Sequence, residues 1–458
     1  MVNPEKSYDF AGFAIFLCSN KSKQSLSMKS IIYYIWKNRL FPYGGLHTTS
    51  GEKIYVIDNG SNNDKSNIFN NAKIKIGDKT WVGNVVLHHK SSDWENEIHD
   101  NISCTDNAIL HVTMENDCST LRRHGEEIHQ LCIGYPDSLK SDLKIATEDK
   151  TNNLPCAHAV SQIETVKLHS ILSRLLVERI EEKAKYIETT YEKCEKRWEE
   201  TLFKTLIKSF GFGIHTQLFE EFANTLNFQA LGKHRDNAMQ VEAIFFGQAG
   251  LLNELSIPYF YRDFATKSNY FNELKREYQF MEKKFNLKSM DYKAWESGNS
   301  APHLRIARLA TIFHSHKFNM SNIAECNTID ELHKIIETSL HGYWYNHTCF
   351  GGTETYGNGK MKERQIDIII INAIAPVLYV YGKHRKEYAL CGKAEEYLHT
   401  LRCEENSIVR RWREQGIKAE CAADSQALLH LNKSYCSNKK CLECQFAYIY
   451  IKSVLKCL

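Results

Sequence analysis

Proline is scarce. The 458-residue chain holds seven, and it has no long tract of proline, glycine or serine, which excludes disordered linkers as a major part of its length. A dominant charge is also lacking. With 58 Lys and Arg against 55 Asp and Glu the net charge is +3, so the overall balance directs the chain to neither nucleic acid, membrane surface nor acidic substrate, and any basic groove must be local. Long apolar runs are missing too. FAGFAIFLC, ending at Cys18, is short and follows an acidic flank, while IDIIIINAIAPVLYVY is short and carries Asp367 and Pro376. The first gives no usable secretory signal, the second reads as a buried helix, and membrane insertion is not expected. Several enzyme signatures do not occur: the phosphate loop G-x-x-x-x-G-K-Ser/Thr, the zinc motif H-E-x-x-H and the nucleophile elbow G-x-S-x-G. The glycines of FGGTETYGNGK follow no strand of dinucleotide-binding type and read as a loop.

What is present allows a sizeable core. The chain is 43% hydrophobic and 11% aromatic, and its length suggests roughly two or three domains. Its fifteen cysteines are an odd number. Without a secretory signal they read as reduced thiols, some of them metal ligands, in a cytoplasmic protein.

The organisation follows from periodicity. Residues 1–27 read as an N-terminal extension before MKSIIYYIWKNRLF, where Ile31, Ile32, Ile35, Trp36 and Leu40 have helical spacing. KIYVID, AKIKIGDKTWVGNVVLHH, NAILHVTM and HQLCI alternate as strands do, and the GDK turn predicts a hairpin. Residues 28–145 are therefore expected to form an α/β domain, with residues 146–458 a helical domain. Its first segment, Ser161 to Phe210, predicts one long helix or a pair, closed by Gly211 and Gly213. Glu178 and Arg179 read there as an exposed charged face. Helical patterns continue through QLFEEFANTL, NAMQVEAIFFGQAGLL, YFNELKREYQFMEKKF, LRIARLATIF and IDELHKIIETSL.

WVGNVVLHHKSSDW, Trp81 to Trp94, raises the question of chemistry. In one nuclease architecture an Asp on one strand and a Glu-x-Lys pair on the next hold Mg²⁺ beside a phosphate, because a hard cation needs oxygen ligands and a third group must position water. Residues i and i+2 of a strand share a face. Val86 and His88 have that relation.

At these residues the chain resembles the domain-of-unknown-function family 2851, whose strand-rich N-terminal region is similar to PD-(D/E)XK phosphodiesterases. The resemblance runs from about Ile31 to Cys444, on YYIWKNRLF, FNNAKIKIGDKTWVGNV, SSDW, NAILHV, FGFGIHTQLFEEFA, KHRDNAMQVEAIFFGQAGLL, LRIARLA, YGKHRKEYAL, AADSQALLHL and YCSNKKCLEC. It implies a nuclease-like α/β domain followed by a large, mainly α-helical domain. The family's Gly-Pro-Asp-Phe block falls on Ser66, Asn67, Ile68 and Phe69, and its Val-Glu-Ile-His block on Val85, Val86, Leu87 and His88. Ile68 and Val86 thus stand where metal-binding carboxylates are expected, so Mg²⁺ is not expected there and an apolar pair should close the site by packing. His88 is the remaining catalytic candidate, with His89, Asp93 and Asp64 near it in sequence. The alternative is a strand histidine without chemistry. Asp93 and Trp94 are expected to cap and anchor the turn after the strand. The stretch WESGNSAPHLRIA is shorter than in relatives and leaves Arg305 and Arg308 as its nearby arginines.

Cys436, Cys441 and Cys444 in YCSNKKCLEC have a spacing that suits zinc or an iron-sulfur cluster, with Lys439 and Lys440 offsetting thiolate charge. Cys156 is the first choice of fourth ligand, and Cys421 and Cys457 are alternatives. Ordinary reduced thiols are the competing reading. In KHRDN, Lys233, His234 and Arg235 could touch phosphate, with Asp236 as a helix cap. Tyr343, Trp344, Tyr345 and His347 could stack on bases, although aromatics in so helical a chain are more often core. The expected function is nucleic-acid binding or processing, of DNA or RNA, by a catalytically degenerate nuclease relative. The alternative is an assembly subunit that binds protein partners through its helical domain.

Overall fold

A computed structural model describes residues 28–41, 45–62, 67–95, 106–122, 125–134, 156, 163–213, 215–296, 302–352 and 359–456. The extension 1–27, Asp64 and Cys457 lie outside the described residues. The chain divides into two compact units, residues 1–160 with 438–458, and residues 161–437.

The first unit opens with helix Met28–Lys37. Its Ile31, Ile32, Ile35 and Trp36 are buried, the stripe that helical spacing places on one face. Among the described residues six strands follow: β1 (Leu46–His47), β2 (Lys53–Asp58), β3 (Ile68–Ile76), β4 (Lys79–Lys90), β5 (Ala108–Glu115) and β6 (Gln130–Cys132). They lie side by side in sequence order. Pairing is antiparallel from β1 to β4 and parallel from β4 to β6, so the sheet is mixed. The β3–β4 hairpin turns at Gly77 and Asp78, with Ile76 paired to Lys79. Gly77 has φ 57°, a conformation that favours glycine and matches the right-handed twist of the flanking strands.

Alternation along β4 builds two cores. Val85 and Leu87 join Phe69, Ile74, Leu110, Val112 and the N-terminal helix in the larger one. Val86 points to the opposite face and joins Ile68, Trp94, Ala108 and Ile128 in a smaller cluster. Helix Gln445–Lys456 adds Tyr450 and Ile451 to the larger core. This corrects the expected division at residue 145: the segment from 438 to 458 belongs with the sheet. Its apolar spacing is that of any core helix, and spacing does not say which core receives it.

In the second unit the helix pair expected before Gly211 is Thr165–Lys193 and Trp198–Ser209. They part where Glu195 and Lys196 take φ of 52° and 62°. The later helical patterns become Thr216–Thr225, Ala238–Gln248, Asn269–Phe285, Pro302–His314 and Ile329–Ile336. Ala238–Gln248 is buried along most of its length, with Val241, Ile244, Phe245 and Phe246 fully enclosed. The apolar run around Pro376 is longer than expected. Glu363–Ile369, a π-helical turn Ile370–Ile374 and Ala375–Arg385 join into one helix. Its 23 residues are long and apolar enough to cross a membrane by length and composition, yet 67% of its apolar window is buried inside the protein. A second π-helical turn, Leu431–Cys436, follows helix Ala422–His430.

Candidate functional site

On the face of β4 that carries Val86 and His88, the sheet assembles a buried polar chain. Asn67 Nδ2 lies 3.0 Å from His88 Nε2, His88 Nδ1 lies 3.0 Å from His111 Nε2, and His111 Nδ1 lies 3.3 Å from Thr120 Oγ1. The amide donates to His88, so His88 Nδ1–H donates to His111 and His111 Nδ1–H donates to the threonine oxygen. Both imidazoles are then neutral. Burial, and then the neighbouring His88, push His111 down to about 3, since an imidazolium here would lose its hydration and face a second ring. His111 came with no signal in the sequence. Parallel pairing of β4 with β5 sets Val86 beside His111 in the ladder, and that crossover could not be read from NAILHVTM.

Ile68 and Val86 are Cα partners across β3 and β4. They pack with Trp94 in the smaller core, where Trp94 also lies 4.8 Å from the His111 ring, centre to centre. Trp94 Nε1 donates to Leu121 O at 2.9 Å, and the Lys90 amide donates to Asp93 Oδ2 at 3.3 Å. The turn is therefore capped and anchored as expected. His88 is buried in this packing.

The remaining predicted residues are dispersed. Lys233 is exposed above the Phe285 ring, and His234 Nδ1 lies 2.7 Å from Gln240 Oε1. Arg235 donates to Phe313 O and covers the Phe313 ring. Arg305 donates to Phe210 O and lies over Phe212 and Phe219. Arg308 donates to the carbonyls of Thr338 and Lys360. The helix cap falls one residue later than expected: Asn237 Oδ1 accepts from Gln240 N, while Asp236 pairs with His316. Trp344 is buried and stacks on Phe246 with ring centres 4.9 Å apart, so it is core. Tyr343 stacks on Tyr270 and His347, and Tyr345 is exposed.

Among the cysteines, Cys441 opens a 3₁₀ turn in the first unit and Cys444 caps its end, and Cys156 packs against that unit's larger core. Cys436 and Cys421 belong to the second unit. No three His, Cys, Asp or Glu side chains among the described residues form a group able to hold a metal ion.

Within the second unit alone lies a cavity of about 1440 Å³. Arg179, Lys183, His333, Asp367, Asn372 and Glu404 are among the residues that line it. Here the expected exposed face of Glu178 and Arg179 is corrected. Arg179 donates to Gln426 Oε1 at 3.2 Å and to Glu182 at 2.8 Å, and Glu178 pairs with His430 at 3.2 Å and accepts from Tyr435 at 2.8 Å. Helix Ala422–His430 packs along this face. Charged composition alone could not distinguish a solvated stripe from one that meets polar partners far along the chain.

A mixed sheet, together with a helical unit that holds a cavity with charged side chains in its wall, defines a two-unit protein whose described strands all lie in the first unit. Residues 29–407 match the family described as "Protein of unknown function (DUF2851)", and the chain belongs to that family. The matched span ends before YCSNKKCLEC, so the cysteine cluster lies outside it. Neither a curated protein nor a solved structure matches the chain.

Proposed function

We propose that this member of the family is a cytoplasmic nucleic-acid-binding protein on a PD-(D/E)XK-like scaffold that does not cut by two-carboxylate chemistry. The observation that carries the reading is the outer face of β2, β3 and β4. Tyr55, Lys75 and Thr80 are paired across the three strands, with Lys53 and Lys73 two residues along on the same face. Tyr55 is 51% exposed, and Lys53 Nζ lies 5.1 Å from its ring centre. None of the three lysines is ion-paired with a described residue. Cations around an accessible ring suit a phosphate backbone with a base stacked between its charges. The test is binding of a fluorescent oligonucleotide, single- and double-stranded, across a salt series. Salt-sensitive affinity that falls when Lys53, Lys73 and Lys75 become Glu supports the reading. Affinity unchanged by the triple substitution overturns it.

A second reading, assembly with a protein partner, rests on helix Tyr259–Lys267. Phe260 and Phe264, one turn apart, are 82% and 68% exposed, more apolar surface than an isolated soluble helix needs. Self-association in sedimentation that Phe260→Asp reverses would favour it; a chain that stays monomeric at high concentration removes a second copy as the partner.

A further inference from the structure

Lys183 lies on helix Thr165–Lys193 where that helix walls the cavity of the second unit. Its Nζ is 3.1 Å from Ile371 O and 3.0 Å from Asn372 Oδ1. Both acceptors come from the π-helical turn, and the reason is local. The Ala375 amide bonds Ile370 O in the i to i+5 pattern. The next donor in that register would be residue 376, and Pro376 has no N–H. Ile371 O is thereby left open, and Lys183 meets it. Asn372 is oriented by its own amide, whose Nδ2 donates to Ile368 O at 3.0 Å and to Glu404 Oε1 at 3.4 Å. Its oxygen therefore faces the lysine.

Two uncharged acceptors fix the nitrogen at the cavity wall; its third position is a lone pair in the amine and an N–H in the ammonium. No carboxylate accepts directly from it among the hydrogen bonds of the described residues, and the surroundings favour the amine. Burial, and then Arg179 one turn earlier, push Lys183 down to about 7, against the opposing pull of Glu404 and Glu182. A lysine fixed at a cavity wall with its ammonium disfavoured has the free amine that nucleophilic attack requires.

We propose that Lys183 is the reactive amine of a carbonyl-binding site, and that the cavity takes a small polar aldehyde or ketone. The nitrogen lone pair forms a bond to the carbonyl carbon, the carbonyl π pair moves to oxygen, and a proton passes from nitrogen to that oxygen to give a carbinolamine. The hydroxyl then leaves as water with one further proton, and nitrogen gives up its remaining hydrogen to form the imine. Amine and carbonyl become imine and water, with no oxidant or reductant. Asn372 holds the amine, and Arg179 disfavours its protonation. This site is independent of the sheet face proposed to bind nucleic acid.

The test uses the full chain with glyoxylate or propanal as probe, cyanoborohydride to trap the imine, and peptide mapping to locate it. At pH 7 Lys183 is expected to be labelled at least tenfold faster than Lys185 and Lys193, exposed lysines of the same helix, with a rate that levels off above neutral pH. Lys183→Arg removes that label. Asn372→Asp, which keeps the lysine and places a carboxylate against it, should lower the rate at pH 7 at least tenfold and restore it at higher pH. Preference for glyoxylate over propanal would place an anionic group on the ligand, and the reverse would remove one. Labelling of Lys183 no faster than Lys185, a wild-type rate that climbs only above pH 9, or an unchanged profile in Asn372→Asp would each overturn the proposal and leave Lys183 as a cap on Ile371 O.

Discussion

Ile68 and Val86 face each other as paired residues of β3 and β4, 6% and 0% exposed, in one cluster with Trp94, Ala108 and Ile128. Two carboxylates in those places would meet apolar neighbours and each other. Val86→Glu should therefore destabilise the first unit by about 3 kcal/mol or more, against roughly 2 kcal/mol for Val86→Ala, because it adds an unpaired charge to a lost contact. Urea denaturation measures both. Mg²⁺ should not rescue Ile68→Asp with Val86→Glu; recovered stability together with Mg²⁺-dependent cleavage would show that the site can still open.

Acid should weaken both units through neutral histidines. His111 in the first is held at about 3 and His303 in the second at about 4, each by burial first. Unfolding releases them to about 6.5, so between that value and the folded one the unfolded chain binds the extra proton. Stability is fully present above pH 6.5 and falls with decreasing pH by up to about 1.4 kcal/mol per unit for each group. Urea midpoints read from tryptophan fluorescence at pH 7.5 and 5 measure the drop. His111→Phe should shrink the drop for the first unit and leave that of the second unchanged.

Gly247 sits where helix Ala238–Gln248 meets Tyr278 of helix Asn269–Phe285. A methyl group added there would fall 2.0 Å from the ring. The ring has little freedom, since its hydroxyl is hydrogen-bonded to Ser289 Oγ at 2.7 Å. Gly247→Ala gains helix propensity but forces the two helices apart, and a net loss of about 1–3 kcal/mol is expected from thermal melts. Combining it with Tyr278→Ala should cost less than the sum of the two changes, because the clash disappears with the ring.

What could be read in advance was whatever depends on near neighbours. KIYVID, the hairpin around Gly77 and the stripe Ile31, Ile32, Ile35, Trp36 carry their own periodicity, and β2, β3, β4 and the first helix lie where it puts them. The shared face of Val86 and His88 also followed from alternation alone. His111 did not, since its meeting with His88 depends on which strand β4 pairs with in parallel. Arg179 looked solvated because its partner Gln426 lies 247 residues away. Pro376 carries a local clue: a proline inside an apolar helix must leave a carbonyl open, and an open carbonyl beside a cavity calls for a donor.

Gln426 links the two charged walls of the cavity, accepting from Arg179 Nε at 3.2 Å and donating through Nε2 to Glu404. It is 1% exposed, so water cannot readily replace it. Gln426→Leu fills nearly the same volume while removing both bonds to charged groups, each worth roughly 1.5–3 kcal/mol. Arg179 keeps Glu182, and Glu404 keeps Asn372, which limits the damage to the two lost contacts. The expected loss in the second unit is about 2–4 kcal/mol by chemical denaturation. A double-mutant cycle with Glu404→Gln should return a coupling of at least 1 kcal/mol, of the size found for residues in one hydrogen-bond network. Additive effects would mean that Gln426 and Glu404 stabilise the cavity wall independently.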